Sequence, residues 1–456
     1  MNMPDFQFDI LGGGIAGLSV GYFARKQNLP FTIYEASSQA GGNAVTFRFG
    51  DFLFDSGAHR LHDKDNLSTT EVQSLLGNKL KRIHAPSQIH DRGKWIDFPL
   101  SPWNLLKRLG PYVFVKAGME VLGTKFGRRA PGDSFESFAL NTYGRVISER
   151  FLLNYSEKLW GRPCCELSPR ISGKRLEGLN LKTFFIETLL GERSKTRHLD
   201  GAFFYPEHGI GMIAESMATF CGPENLRTRS TITRLFHQGD AITDIEINGT
   251  TRHAAGHVVS TIPLDHFVSI LDPAPPAEIL RLAAGLRYRH VILTAFVVRK
   301  ERLGRNASTY FPGKEFPFTR IYEPKQRSPH MSPGNTTLLV AEIACDQDDP
   351  CWTMSDTDLR AMVEPHLVKI GWCTQRELGE MTSRRMPHAY PVQSLNVEAS
   401  VQKIHTYCSG FSNLQISGRN GCFSYIHIHD LLRMAREIVS HCAPPPQRAH
   451  YGSEHS

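Results

Sequence analysis

The sequence is poor in the features that mark membrane, secreted or nucleic-acid-binding proteins. No apolar run approaches the roughly 20 residues of a spanning helix, and the N-terminus reaches Phe8-Asp9-Ile10-Leu11 too soon for a secretory leader. None of the nine cysteines belongs to a Cys-x-x-Cys pair, so neither a zinc knuckle nor a redox dithiol is indicated. The adjacent Cys164 and Cys165 read as packing residues; no metal site is expected, and reduced thiols in a cytoplasmic protein are. The net charge of +7 is spread along the chain, which argues against nucleic acid and for a small anionic substrate or cofactor. Internal repeats and low-complexity linkers are also missing, so the 456 residues are expected to form two or three interleaved domains with large cores.

What the chain does have is a glycine turn in a telling place. Apolar Phe8–Leu11 leads into Gly12-x-Gly14-x-x-Gly17, a helical run follows, and Phe31-Thr32-Ile33-Tyr34 ends in Glu35-Ala36. In such a strand–turn–helix–strand unit Gly12 makes the tight turn and Gly14 lets the backbone approach a pyrophosphate. Ala16 and Gly17 let helix and strand pack closely, and the helix N-terminus offers its free N–H groups to the phosphates. Glu35 lies where an acid takes an adenosine ribose hydroxyl. A second glycine pair, Gly41-Gly42, follows at once, with Asn43 after it.

An acid followed by a glycine doublet resembles the FAD fingerprint of the glutathione-reductase-like flavoproteins, which usually carry an arginine where this chain has Asn43. Beyond a hairpin pattern around Gly50-Asp51, the stretch Asp55-Ser56-Gly57-Ala58-His59-Arg60-Leu61-His62 resembles the Gly-Pro-His-x-x-His of UDP-galactopyranose mutases, which lies near the isoalloxazine ring. It is still more similar to flavoproteins labelled protoporphyrinogen-oxidase-like. Ile416-Ser417-Gly418-Arg419 and the run to Tyr425 resemble the C-terminal flavin motif of the same families, with His429 where relatives have an aspartate and Asp430 one place later. The resemblance implies one FAD, bound noncovalently by Gly12, Gly14, Ala16, Gly17, Glu35, Ala36, Gly41, Gly42, Asn43, Gly57, His59, Gly418, Arg419 and Tyr425.

The implied fold is α/β: a glutathione-reductase-like FAD-binding Rossmann domain from residues 1–65, 205–265 and 405–440, interleaved with an α+β substrate domain from 66–204 and 266–404. The Pro- and His-rich tail, 443–456, is expected to be disordered. Leu105, Leu109, Val113 and Val121, interleaved with Lys107, Arg108 and Lys116, read as a solvated amphipathic helix rather than one lying on a membrane.

On the substrate side, Asn154–Gly161 resembles the mutase Tyr-Thr-x-Lys-x-Trp-Gly, whose tryptophan, here Trp160, stacks on a nucleobase. Arg289, Arg384 and Tyr390 occupy positions that match mutase residues around the diphosphate. Against that, the mutase's diphosphate tyrosine falls on Phe318, the loss of a hydrogen bond of roughly 1.5–3 kcal/mol. Its mobile-loop arginine falls on Leu179 and a further tyrosine on Ala202. Three functions are open at this point. The first is an FAD-dependent oxidoreductase taking a hydride from an anionic small molecule to flavin N5, with His59, Arg289, Arg384, Tyr390 and Trp160 at the site. The second is a non-redox mutase acting on a glycosyl diphosphate. The third is a flavin-free binding protein like the GDP-dissociation inhibitors, disfavoured because every glycine and Glu35 are present.

Overall fold

The computed structural model describes residues 6–98, 102–126, 131–171 and 202–442. Leu179 and the tail 443–456 lie outside them. Two sheets carry the architecture. The first is wholly parallel, with strands in the order Leu414–Ile416, His257–Ser260, Phe8–Leu11, Phe31–Tyr34, Leu226–Arg227. Phe8, Ile10 and Leu11 are fully buried, as a central strand covered on both faces requires. The helix Ile15–Lys26 is buried from Ile15 to Ala24 and packs between Gly211–Cys221 and Ile428–Cys442. This is the α/β fold that the glycine motif announced.

The second sheet has seven strands, in the order Leu378–Pro391, Tyr288–Val298, Thr337–Cys345, Arg320–Tyr322, Ser308–Tyr310, Ser87–Asp91, Lys94–Phe98. All its neighbours are antiparallel except Ser308–Tyr310 beside Ser87–Asp91. One face, with Val291, Leu293, Tyr322 and Met386, meets Val45 and Phe54 of the hairpin Thr46–Phe49/Phe52–Asp55. A separate core gathers Phe296, Phe311 and Leu359. Phe318 belongs to that core, edge-to-face on Phe311 at 4.9 Å; a phenylalanine here fills space, so this position serves packing. No described helix is long and apolar enough to cross a membrane.

The hairpin is tied to the segment 205–210 through the Asp55 carboxylate, which is fully buried. Its Oδ2 accepts the Tyr205 hydroxyl (2.5 Å), and its Oδ1 accepts Thr46 Oγ1 (2.7 Å) and the Ile210 N–H (2.9 Å). The Asp55 carbonyl accepts Tyr322 of the seven-stranded sheet. Gly209, at φ +100°, runs so close that an added Cβ would lie 2.6 Å from Oδ1. Burial pushes the Asp55 carboxyl up, and these donors pull against it. Truncating the residue strands two buried donors, the Tyr205 hydroxyl and the Ile210 N–H, and the half-buried Thr46 hydroxyl. Asp55→Ala is therefore expected to cost about 3–5 kcal/mol in chemical denaturation; a loss no larger than that of a surface substitution would show that the knot does not hold the hairpin to residues 205–210.

Candidate functional site

The glycine turn forms a cradle without side chains. Gly12 sits at φ +102° and donates to the Tyr34 carbonyl at 2.8 Å. A Cβ on Gly17 would fall 1.9 Å from the Gly12 carbonyl oxygen, so no side chain fits there. Gly14 caps the helix with no side-chain hydrogen bond, and no acid stands in the first turn, which leaves the helix start open to an anion. The doublet closes over it: Gly41 N–H donates to the Gly13 carbonyl at 2.8 Å, and a Cβ on Gly42 would lie 3.0 Å from Gly14 Cα. Glu35 Oε2 accepts the Gly13 N–H at 2.7 Å and Oε1 accepts the Ser37 N–H at 2.8 Å, which fixes the carboxylate beside the turn. Ala36 next to it is exposed. Ala16 is buried, 3.2 Å from where a Gly418 Cβ would stand. A bare backbone cradle, an open helix start and a fixed acid fit the pyrophosphate and ribose of FAD.

The far end of the site is built where the chain's two ends meet. The Nδ2 groups of Asn43 and Asn420 both donate to the His388 carbonyl, each at 3.2 Å. His388 has φ +52° and lies in a bulge: Arg289 pairs with Tyr390, whereas Val291 pairs with Met386. Arg419 donates to the carbonyls of Ala389 (3.3 Å) and Ile426 (3.0 Å) and lies over the Tyr425 ring. His59 Nε2 is 3.0 Å from Ser56 Oγ, whose own hydrogen goes to the Asn43 carbonyl at 2.8 Å. With the Ser56 hydrogen on the Asn43 carbonyl, Nε2 is the donor to Ser56 and Nδ1 is the acceptor. Burial, with the positive charges of Arg419, Arg320 and Arg327, pushes His59 down to about 3, so the ring is neutral at physiological pH. A Cβ on Gly57 would lie 3.7 Å from His59 Nε2 and Glu342 Oε1, an ordinary contact, so Gly57 lines this end of the site without being forced by space.

Beside this lies a ring of aromatic side chains around a buried ion pair. Arg320 and Glu342 are joined in a fork, Nε to Oε2 and Nη2 to Oε1, both 2.9 Å. Glu342 Oε1 also accepts the Ala58 N–H at 2.9 Å, which ties the pair to the His59 loop. Arg320 lies over Tyr310, and its charge is felt by Tyr155 and Tyr390. Burial pushes the Tyr390 hydroxyl up to about 12 and Tyr155 higher still. Tyr390 stands 5.9 Å from both Trp160 and Tyr425, ring to ring.

His59, Tyr390, Trp160, Arg419 and Tyr425 thus come together, whereas the two expected anion-holding arginines do not. Each nitrogen of Arg289 is taken: Nη1 by Asp346 (2.7 Å), Nε by the Leu159 carbonyl (3.1 Å) and Nη2 by the Ala344 carbonyl (2.9 Å). It lies under Gly161, where a Cβ would be 2.5 Å from Nη1. Arg289 therefore braces the segment that carries Trp160. Arg384 pairs with Leu293, four residues along the strand from Arg289 and so on the order of 13 Å from the Tyr390 row. There it bonds Thr382 Oγ1 and the Ser383 carbonyl and lies over Phe47. Trp160 is buried with Phe135, Leu153 and Val392. Sequence reasoning passed over Arg320, Glu342, Tyr155 and Tyr310. The signal for Glu342 was there: it is the lone acid in the apolar strand Thr337–Cys345.

The sequence profile of the family described as flavin containing amine oxidoreductase matches residues 15–380. Protoporphyrinogen oxidase 1, chloroplastic, of Spinacia oleracea is 26% identical over 184 residues, 38% of this chain and 32% of that protein, so this chain spans about a third of that relative. Among solved structures, reduced UDP-galactopyranose mutase superposes with a TM-score of 0.83 at 17% identity, covering 96% of this chain and 95% of that one. A provisionally named protoporphyrinogen oxidase from Exiguobacterium sp. 255-15 gives 0.78 at 17% identity, covering 96% and 99%. Putrescine oxidase bound to putrescine gives 0.65 at 14%, covering 96% and 99%.

Two expectations follow from the site's geometry. Gly14→Val should keep the fold, because a Cβ there meets only Gly42 Cα at 3.7 Å, yet lose the flavin absorbance, because the side chain enters the cradle. Full flavin content in that variant would remove the pyrophosphate from this turn. The second concerns acid. His59, and His290 at about 4, stay neutral when folded but take up protons below about pH 6.5 when unfolded. The unfolded state then binds more protons, so stability is complete above that pH and falls toward pH 4 by about 1.4 kcal/mol per pH unit for each ring. Melting curves across this window should fall less steeply for His59→Gln; an unchanged slope would contradict a buried neutral His59.

Proposed function

The chain belongs to the flavin containing amine oxidoreductase family and is an FAD-dependent flavoenzyme, and from that premise we propose that it oxidises a small molecule bearing a single negative charge by removing a hydride from a C–H bond. FAD, when bound, supplies the hydride acceptor, N5. The protein's own residues hold and orient. The Arg320–Glu342 pair grips the Ala58 N–H and so sets the loop that carries His59. His59, neutral and held by Ser56, offers a ring nitrogen as a hydrogen-bond acceptor that orients the substrate. Tyr155, Tyr310, Tyr390, Tyr425 and Trp160 wall the site with rings, which excludes water and strengthens polar contacts inside.

The observation that carries this reading is the separation of Arg289 from Arg384. A glycosyl diphosphate brings at least two negative charges and needs arginines converging on it. Here Arg289 is already matched by Asp346, and Arg384 stands a strand's length away. Near His59 the charge of Arg320 is matched by Glu342, while Arg419 donates to carbonyls and keeps a positive charge suited to a carboxylate. The mutase reading retains one specific support, Trp160 edge-to-face with Tyr390.

Anaerobic mixing with candidate amino acids, amines and hydroxy acids tests the proposal. A true substrate should bleach the flavin once and stop until an acceptor is added. Interconversion of UDP-galactopyranose by the dithionite-reduced protein, with no reductant consumed, would overturn it. Arg384→Lys should leave kcat/KM on the oxidised substrate within about twofold; a large rise in KM would return Arg384 to the site.

A further inference from the structure

The stretch 102–130 holds six basic residues (Lys107, Arg108, Lys116, Lys125, Arg128, Arg129) and one acid, Glu120. Its helices Pro102–Leu109 and Pro111–Phe126 pack together, and the second lies on Phe135–Ile147. The inner face is apolar and covered: Leu105, Leu109, Ala117 and Val121 are buried. Glu120 turns inward, where its Oε2 accepts the Val146 N–H at 2.7 Å. The neighbouring acids are also engaged, Asp97 by Asn104 (2.5 Å), Asp91 by Arg150 (3.6 Å) and Glu149 by Arg145 (3.0 Å).

The outer face of Pro111–Phe126 is different. Tyr112 is 78% exposed, Val115 54% and Met119 61%, and their spacing of three and four makes one stripe along the helix. Among the described residues, three of the four most exposed large apolar side chains are these, so the exposure is concentrated rather than scattered. Lys107, Arg108 and Lys116 are exposed alongside. An apolar row rimmed by cations, with the local acids turned elsewhere, matches the chemistry of an anionic lipid surface, where the row enters the acyl boundary and the cations meet headgroup phosphates. Three side chains cover roughly 400 Å², about half of what each partner in a stable protein interface contributes. We propose that the outer face of Pro111–Phe126 docks this protein on an anionic membrane surface. The helix expected to be merely solvated is then a peripheral anchor, and through Phe135–Ile147 and the turn Ser148–Leu153 it is continuous with the helix carrying Tyr155 and Trp160.

Cosedimentation of the full-length flavoprotein with phosphatidylcholine vesicles, with and without phosphatidylglycerol, tests the anchor. Binding is expected only with the anionic lipid and should weaken with added salt. Tyr112→Ser with Met119→Ser, and separately Lys107→Glu with Arg108→Glu, should each weaken it at least about tenfold while circular dichroism and flavin content stay at wild-type values. Equal binding to neutral vesicles, no binding to either, or binding indifferent to both pairs of substitutions would overturn the proposal. So would a wild-type dimer in solution that the Tyr112→Ser/Met119→Ser pair converts to monomer without any vesicle binding, since the stripe would then belong to a second copy.

Discussion

A carboxylate with no access to water governs how this molecule is put together. Asp55 ends the hairpin that follows the FAD fingerprint, and its oxygens take donors from Thr46, Tyr205 and Ile210, while its carbonyl takes Tyr322. A buried charge is tolerated only where its lone pairs are filled, so each of these partners is held in place by the cost of leaving Asp55 unmatched. The next four residues, Ser56 to His59, inherit that position. The loop beside the expected flavin ring is therefore set by a polar knot that ties the hairpin to residues 205–210 and to the seven-stranded sheet rather than by its own packing.

The same logic extends into the site. Arg320 and Glu342 neutralise one another, so the pair supplies geometry more than charge. Arg419 is satisfied by carbonyls and keeps its charge. Burial, together with the nearby arginines, makes a second cation costly, which is why His59 stays neutral. A neutral imidazole beside an excess of guanidinium is suited to accept a hydrogen bond and to tolerate an anion, but not to take up a proton or to bind an amine that stays protonated.

The parts legible in the sequence were those where backbone geometry dictates residue type. Gly12 and Gly17 permit no side chain, the helix start after Gly14 carries no competing acid, and Gly50 turns the hairpin at φ +57°. The fold and FAD followed from such positions. The substrate side was less legible, because a matching position says nothing about which donors are already engaged. Arg289 meets Asp346 only because Tyr288–Val298 pairs with Thr337–Cys345, setting His290 opposite Cys345. Arg384 lies six residues before Tyr390 on one strand, and the bulge at His388 sets it opposite Leu293, a register that motif resemblance does not encode. Glu342 and Arg320 could be paired only once the strand order was known.

The His388 carbonyl that accepts both Asn43 and Asn420 also has a consequence for the order of events during synthesis. Asn43 and His388 are separated by 345 residues of chain, and the edge strand Leu414–Ile416 pairs with His257–Ser260 only after that. Contacts so distant in sequence form slowly and late. The N-terminal glycine turn leaves the ribosome first, but the contacts at His388 that tie the chain's two ends together cannot form until nearly the whole chain has emerged. A chain that stops short of Gly418 would carry the glycine turn without the segment that Asn420 binds to His388.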